Sequence, residues 1–245
     1  CLNLNNLFWW FAMKLIVKTY DPIVIKMRDF FLNNNSTGHN GPYYDQETFT
    51  RYHAHKIKAL SYYFSETKET VFLHKIIEFA DELLESKARP FGFSFLSRVE
   101  ENKDKNNGLI GQAWAIEGLV EAYKATKEKK YIKIAIEVFK LHEFDKEKRL
   151  WRSLSIDGKN LDFDMTFNHQ LWFAMAGFLI LDSCFDREIK EKCDLFINGI
   201  DYYMRIYKNG LIKHPIILES NIFKSQARKI KRFINFLKSK SYKYK

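Results

Sequence analysis

Ala113-Trp114-Ala115-Ile116 and Leu171-Trp172-Phe173-Ala174-Met175-Ala176-Gly177 are the stretches that decide the fold. Their spacing suits a helix, yet they are apolar on nearly every side. A helix of that kind is packed all round, whereas a surface helix keeps one charged face. Working outward, the surroundings repeat. Leu60, Phe64, Thr67, Glu69, Phe72 and Phe79 recur 59 residues later as Leu119, Tyr123, Thr126, Glu128, Tyr131 and Val138. After a further 58 residues come Gly177, Leu181, Cys184, Asp186, Ile189 and Phe196. A period of that size marks a repeat architecture.

Each unit reads as an apolar helix, a short polar turn and a second, amphipathic helix. The first helices are expected at about 48–64, 111–125 and 168–182, and the second at about 69–86, 130–142 and 187–203. Thr or Asp in the turns is expected to cap the second helix. The second helices carry charge on one face, as in Lys130, Lys133, Glu137 and Lys140. Concentric packing follows, with buried inner helices and half-wetted outer ones. An earlier hairpin, 7–18 with 22–32, fits the plan, and a half unit at 221–237 ends it. The count is about four helical hairpins and a ninth helix, in one domain over 1–238 with a basic solvated tail at 239–245.

Composition narrows the function classes. The chain has 245 residues, 46% hydrophobic and 16% aromatic, too apolar for a disordered segment. The net charge of +10 is a terminal property. Residues 220–245 hold nine cations and no acid, so 31 cations face 30 acids in the rest. A nucleic-acid binder spreads its basic residues over a folded face, so no nucleic-acid partner is expected. Three cysteines without a C-x-x-C spacing indicate neither a zinc knuckle nor a disulfide framework, and they favour a reducing, cytoplasmic compartment. No apolar run reaches the ~18 residues of a membrane span. The apolar stripe of the basic terminus fits docking as the next inner helix better than lying on a membrane.

Long links at about 34–47, 87–110, 143–167 and 204–220 return to one rim, at the N-terminal ends of the inner helices. Loops of that length in a compact domain are commonly functional. They concentrate the polar groups: Tyr43-Tyr44-Asp45 leading to Arg51, His53 and His55; Gln112 and Trp114; Trp151-Arg152; and Asp162 through Asn168-His169-Gln170 to Trp172. In the repeat frame His53, Gln112 and Gln170 form one column, and His55, Trp114 and Trp172 another. A buried Gln needs hydrogen-bond partners, which a substrate or a neighbour must supply. The two Trp, on such apolar helices, are more often core packing than stacking platforms. His53 and His55 stand two apart, ~200° around a helix, and do not share a metal. Neither a metal nor an organic cofactor is expected.

Asp162-x-Asp164 is the best carboxylate pair, with Asp45 as a partner from a neighbouring loop. Near a funnel mouth such a pair suits glycoside cleavage, which needs a protonated carboxyl and a second anion. Equally, Asp164 caps the helix that begins near Asn168.

The layout resembles the α/α toroids, barrels of paired inner and outer helices found in many sugar-acting enzymes. A closed toroid of six pairs has twelve helices, against nine counted here. The resemblance implies an all-α fold with an oligo- or polysaccharide site over the mouth; the competing reading is a helical-repeat binding protein. Asn168-His169-x-x-Trp172 resembles the Asn-His motif of toroidal uronate polysaccharide lyases, which implies β-elimination with His169 as base, Arg152 as charge clamp and Tyr43 or Tyr44 as proton donor. Toroidal sugar epimerases, which use paired histidines, imply His169 with His53 or His55. The preferred expectation is hydrolysis of a uronic-acid-containing glycan by Asp164 with Asp45 or Asp162.

Overall fold

The computed structural model describes residues 22–33, 49–204, 207 and 210–216. The expected helices at 7–18 and 221–237, the basic tail, and Tyr43, Tyr44 and Asp45 lie outside the described residues.

Helix α1 is Pro22–Asn33, followed by α2 Phe49–Thr67, α3 Thr70–Leu83, α4 Gly108–Thr126 and α5 Lys129–Leu141. A sheet of β1 Phe144–Asp145, β2 Leu150–Leu154 and β3 Asn160–Phe163 precedes α6 Phe167–Ser183, α7 Arg187–Ile197 and the short α8 Ile200–Tyr203. Helices α2, α4 and α6 pack side by side as an inner row with α4 in the middle, while α3, α5 and α7 back them. Three complete hairpins therefore stand among the described residues. Helix α1 packs on α2, where the Tyr63 hydroxyl donates to the Val24 carbonyl at 3.2 Å.

The expectation of a helix packed on every side holds for α4 but not for α6, which leaves Leu171, Met175 and Phe178 exposed on one face. Ala113, Ala115, Ile116, Leu119 and Val120 of α4 are fully or nearly fully buried, as are Phe173, Ala174, Ala176 and Ile180 of α6. Close approach of the inner row depends on small residues: a Cβ at Gly118 would fall 2.8 Å from the Ala54 Cα of α2. Between the rows, Phe139 of α5 stacks on Phe173 of α6 with centroids 4.7 Å apart.

The turns repeat as the helices do. Lys68 and Lys127, 59 residues apart, both turn the chain in the left-handed region, at φ 61° and 63°. The Thr67 and Thr126 hydroxyls accept the N–H of Glu69 and Glu128 at 3.2 and 3.1 Å, tying the turns from two residues before the cap residues of α3 and α5, Glu69 and Glu128 themselves. Asp186 is a true N-cap, accepting from the N–H of Glu188 and Ile189, both at 3.1 Å.

Two expectations are corrected. The outer helix expected at 187–203 breaks after Ile197, because Asn198-Gly199 leaves the helix and Arg149 crosses Gly199 where a Cβ would lie 2.6 Å from its Cδ. The link at 143–167 is an antiparallel sheet in the order β1-β2-β3, with Phe144 paired to Trp151 and Arg152 to Phe163. Trp151 anchors it, buried among Phe139, Phe144, Phe173 and Phe196.

Candidate active site

The sheet delivers Asp164 to the N-terminal ends of α4 and α6. One carboxylate oxygen accepts the Thr166 N–H at 3.2 Å, which turns the chain into α6. The other accepts the Leu109 N–H at the start of α4 at 3.0 Å, and faces His169 Nδ1 at 2.9 Å. The Asp164 side chain is 9% exposed and that of His169 21%. Burial opposes the charge on Asp164. The hydrogen bonds from His169, Leu109 and Thr166 outweigh it, and hold the carboxyl below the ordinary carboxylate range. A charged Asp164 accepts only, so the neutral His169 ring carries its proton on Nδ1 and leaves Nε2 as the acceptor.

Gly108 makes this contact possible. It lies in the left-handed region at φ +59°, its N–H donating to Asp104 at 2.8 Å. Arg98 bridges Asp104, at 2.8 Å, and the Asn107 side-chain oxygen, fixing the loop that enters α4.

A second histidine comes from the link after α8. Residues 214–216 run antiparallel to 165–167: the Phe167 N–H donates to the His214 carbonyl at 2.7 Å, and the Ile216 N–H to that of Met165 at 2.8 Å. The exposed His214 ring then stands 6.1 Å from that of His169, at 84°.

One turn deeper, the inner row presents a polar floor. The Arg51 guanidinium lies 4.3 Å over the Trp114 ring, whose edge also meets His55 at 5.3 Å between centroids. Glu117, 2% exposed, receives Lys58 Nζ from α2 on one oxygen and Trp172 Nε1 from α6 on the other, both at 3.0 Å.

Other expected site residues are placed elsewhere. Gln112 and Gln170 have no exposed surface. The Gln112 amide accepts the Phe95 N–H at 2.7 Å and donates to the carbonyls of Phe95 and Asn106, at 3.0 and 2.8 Å. Gln170 repeats this on Trp151 N–H and C=O, at 3.0 and 2.8 Å, and adds the Asp164 carbonyl at 3.0 Å. The partners that a buried Gln requires are backbone groups of the rim loops, so these amides clamp the rim and do not face a ligand. His53 is buried between the Phe49 carbonyl at 2.8 Å and Glu82 at 3.0 Å. Burial lowers its pKa against the opposing pull of Phe49 and Glu82. Trp151 is core, which removes it as a platform. Arg152 stacks over Phe163 at 4.2 Å and pairs with Glu143 at 3.5 Å. Asn168 and Asp162 are exposed at the rim. Among the described residues no cluster of three His, Cys, Asp or Glu side chains is placed to hold a metal ion, and no helix is long and apolar enough to cross a membrane.

No family model matches the chain. It is 37% identical over 179 residues to archaeal glycosylation protein Q of Haloferax volcanii, covering 73% of this chain and 48% of that protein. It is 24% identical over 152 residues to cellobiose 2-epimerase of Dictyoglomus turgidum, covering 54% of this chain and 39% of the relative. The chain thus spans about half the length, or less, of these curated relatives. Among solved structures, cellobiose 2-epimerase from Bacillus thermoamylovorans superposes with a TM-score of 0.58 at 15% identity, over 78% of this chain and 59% of that one. With its inner and outer helical rows and its rim loops gathered at one end, the chain has the α/α-toroid fold of such carbohydrate-active enzymes.

Proposed function

We propose that this chain carries the proton-transfer centre of a carbohydrate-active enzyme of the epimerase or isomerase type, with His169 as the base. The observation that carries the reading is the 2.9 Å contact between His169 Nδ1 and a charged Asp164, which leaves Nε2 to accept a proton. Nε2 takes the proton from the carbon beside the carbonyl of an open-chain sugar. The C–H pair moves into the carbon–carbon bond and the carbonyl pair onto oxygen, giving an enediolate. Return of a proton to the opposite face of the same carbon gives the epimer; return to the neighbouring carbon gives the isomer. His214, on a separate segment 6.1 Å away, is the candidate for the returning proton. The similarity to a cellobiose 2-epimerase supports this class, and the similarity to a glycosylation protein supports a sugar substrate.

Hydrolysis of a uronic-acid-containing glycan is the weaker reading. Glycosidic cleavage needs a carboxyl kept protonated. Asp164 is held charged by three donors; of its two candidate partners, Asp162 is exposed at the rim and Asp45 lies outside the described residues.

The test is proton exchange. In D2O, cellobiose or D-mannose incubated with the protein takes up deuterium beside its carbonyl carbon, followed by NMR. His169→Ala lowers the rate by about 10²–10⁴-fold, the range for loss of a general base. Reducing sugar released from a uronic glycan without deuterium uptake supports hydrolysis instead.

A further inference from the structure

The polar floor beneath the dyad is absorbed neither by the proton transfer nor by the packing. Lys58 and Glu117 hold equivalent positions in the repeat, on α2 and α4, and Trp172 comes from α6, so one carboxylate ties together all three inner helices. A buried charge in an all-apolar helix is costly, and a well-packed apolar residue in its place is often neutral or stabilising. Stability alone therefore gives little reason for Glu117.

Its two contacts have a shared consequence. The indole N–H edge of Trp172 is fixed on Glu117, which sets the rotation of the ring. Trp172 follows His169 by three residues, so it occupies the same helix face one turn deeper. The ring is only half-buried, whereas a face of Trp114 is already covered by Arg51. The Lys58 ammonium has three N–H donors, of which Glu117 takes one, and its side chain is 36% exposed. An oriented aromatic face beside a fixed ammonium suits a saccharide, with its apolar C–H face and its oxygen substituents.

We propose that Glu117 is the positioning residue of a saccharide-binding floor: it holds Trp172 as the stacking platform and Lys58 as the oxygen-binding cation for the sugar unit presented to His169. The inference rests on the proton-transfer reading for where the sugar's reacting carbon goes, and its test separates the two.

Intrinsic tryptophan fluorescence is titrated with cellobiose, and deuterium uptake is measured on the same samples. Wild type shows saturable quenching. Glu117→Ala, which leaves Trp172 and Lys58 without their acceptor, raises Kd and KM at least tenfold while kcat changes less than threefold. Glu117→Gln, whose carboxamide oxygen still accepts from the indole while its NH2 group faces the Lys58 ammonium, regains at least threefold of the affinity that Glu117→Ala loses and guards against simple misfolding. His169→Ala binds cellobiose normally but does not exchange deuterium; if it exchanges, the proton-transfer reading fails and the floor stands. The proposal is overturned if wild type shows no saturable quenching, if Glu117→Ala binds as wild type does, if its defect lies in kcat with KM unchanged, or if Glu117→Gln binds as poorly as Glu117→Ala.

Discussion

Gly108 lies so close to Asp164 that a Cβ at position 108 would fall 2.4 Å from the carboxylate oxygen that holds His169. The backbone there is also left-handed, at φ +59°. Gly108→Ala is therefore expected to cost about 1–2 kcal/mol in backbone strain and to push Asp164 off the imidazole. Deuterium uptake should fall by more than tenfold, together with a lower melting temperature. A variant that melts lower yet exchanges at the wild-type rate would separate Gly108 from the dyad.

Gln170→Ala removes three hydrogen bonds from buried backbone groups of Trp151 and Asp164. Each group left unsatisfied costs about 1–3 kcal/mol, softened where water enters, so a loss of roughly 2–5 kcal/mol is expected in urea denaturation. Gln112→Ala should behave alike, since its amide has the same role one repeat earlier. A change below about 0.5 kcal/mol, the size of an ordinary surface substitution, would show that neither amide clamps the rim.

These residues also show how far the sequence could be read. The inner helices were legible because an apolar run on every side has few other uses, and their ends fell within a few residues of the structure. The repeat marks Gln112 and Gln170 as one column, but periodicity does not show which way a side chain finds its partners; theirs are backbone groups of the rim loops. The sheet of 144–163 was illegible because its strands are two, five and four residues long and owe their place to Trp151 and Gln170. Its one clear signal was Asp157-Gly158, whose glycine turns at φ +85° between β2 and β3. His214 carries no periodic signal, since it is a β-bridge between Thr166 and Pro215 across the rim that brings it beside His169.

Stability should depend on pH through His142. This ring is fully buried against Phe173, with Nδ1 on the Val138 carbonyl at 2.9 Å. Burial lowers its pKa from 6.5 to about 4, because the charged form is desolvated. Below 6.5 the unfolded chain takes up a proton that the folded chain refuses until about 4. This contribution is therefore intact above 6.5 and is lost as pH falls through that window, by roughly 3 kcal/mol in total. His142→Leu should flatten this part of the curve in denaturant titrations at stepped pH. An unchanged slope would place the acid sensitivity in other groups.

Asp164 acts further down the pH scale. Its folded pKa is depressed, so its contribution is present above the ordinary carboxylate value and fades as pH falls through the lowered one. Asp164→Asn should lose that acid limb and also misplace the His169 proton, because an amide can present its NH2 group to Nδ1. Exchange activity should drop by at least tenfold with the fold retained by circular dichroism. Full activity in this variant would remove Asp164 from the mechanism.

Whether Asp164 fixes the His169 tautomer so that Nε2 is the free base is read in the 15N spectrum of the His169 ring at about pH 8, where the neutral form of an ordinary histidine dominates. The expected spectrum shows a protonated Nδ1 and an unprotonated Nε2 in the wild-type chain, with the pattern disturbed in Asp164→Asn. An unprotonated Nδ1 with the proton on Nε2 would contradict it.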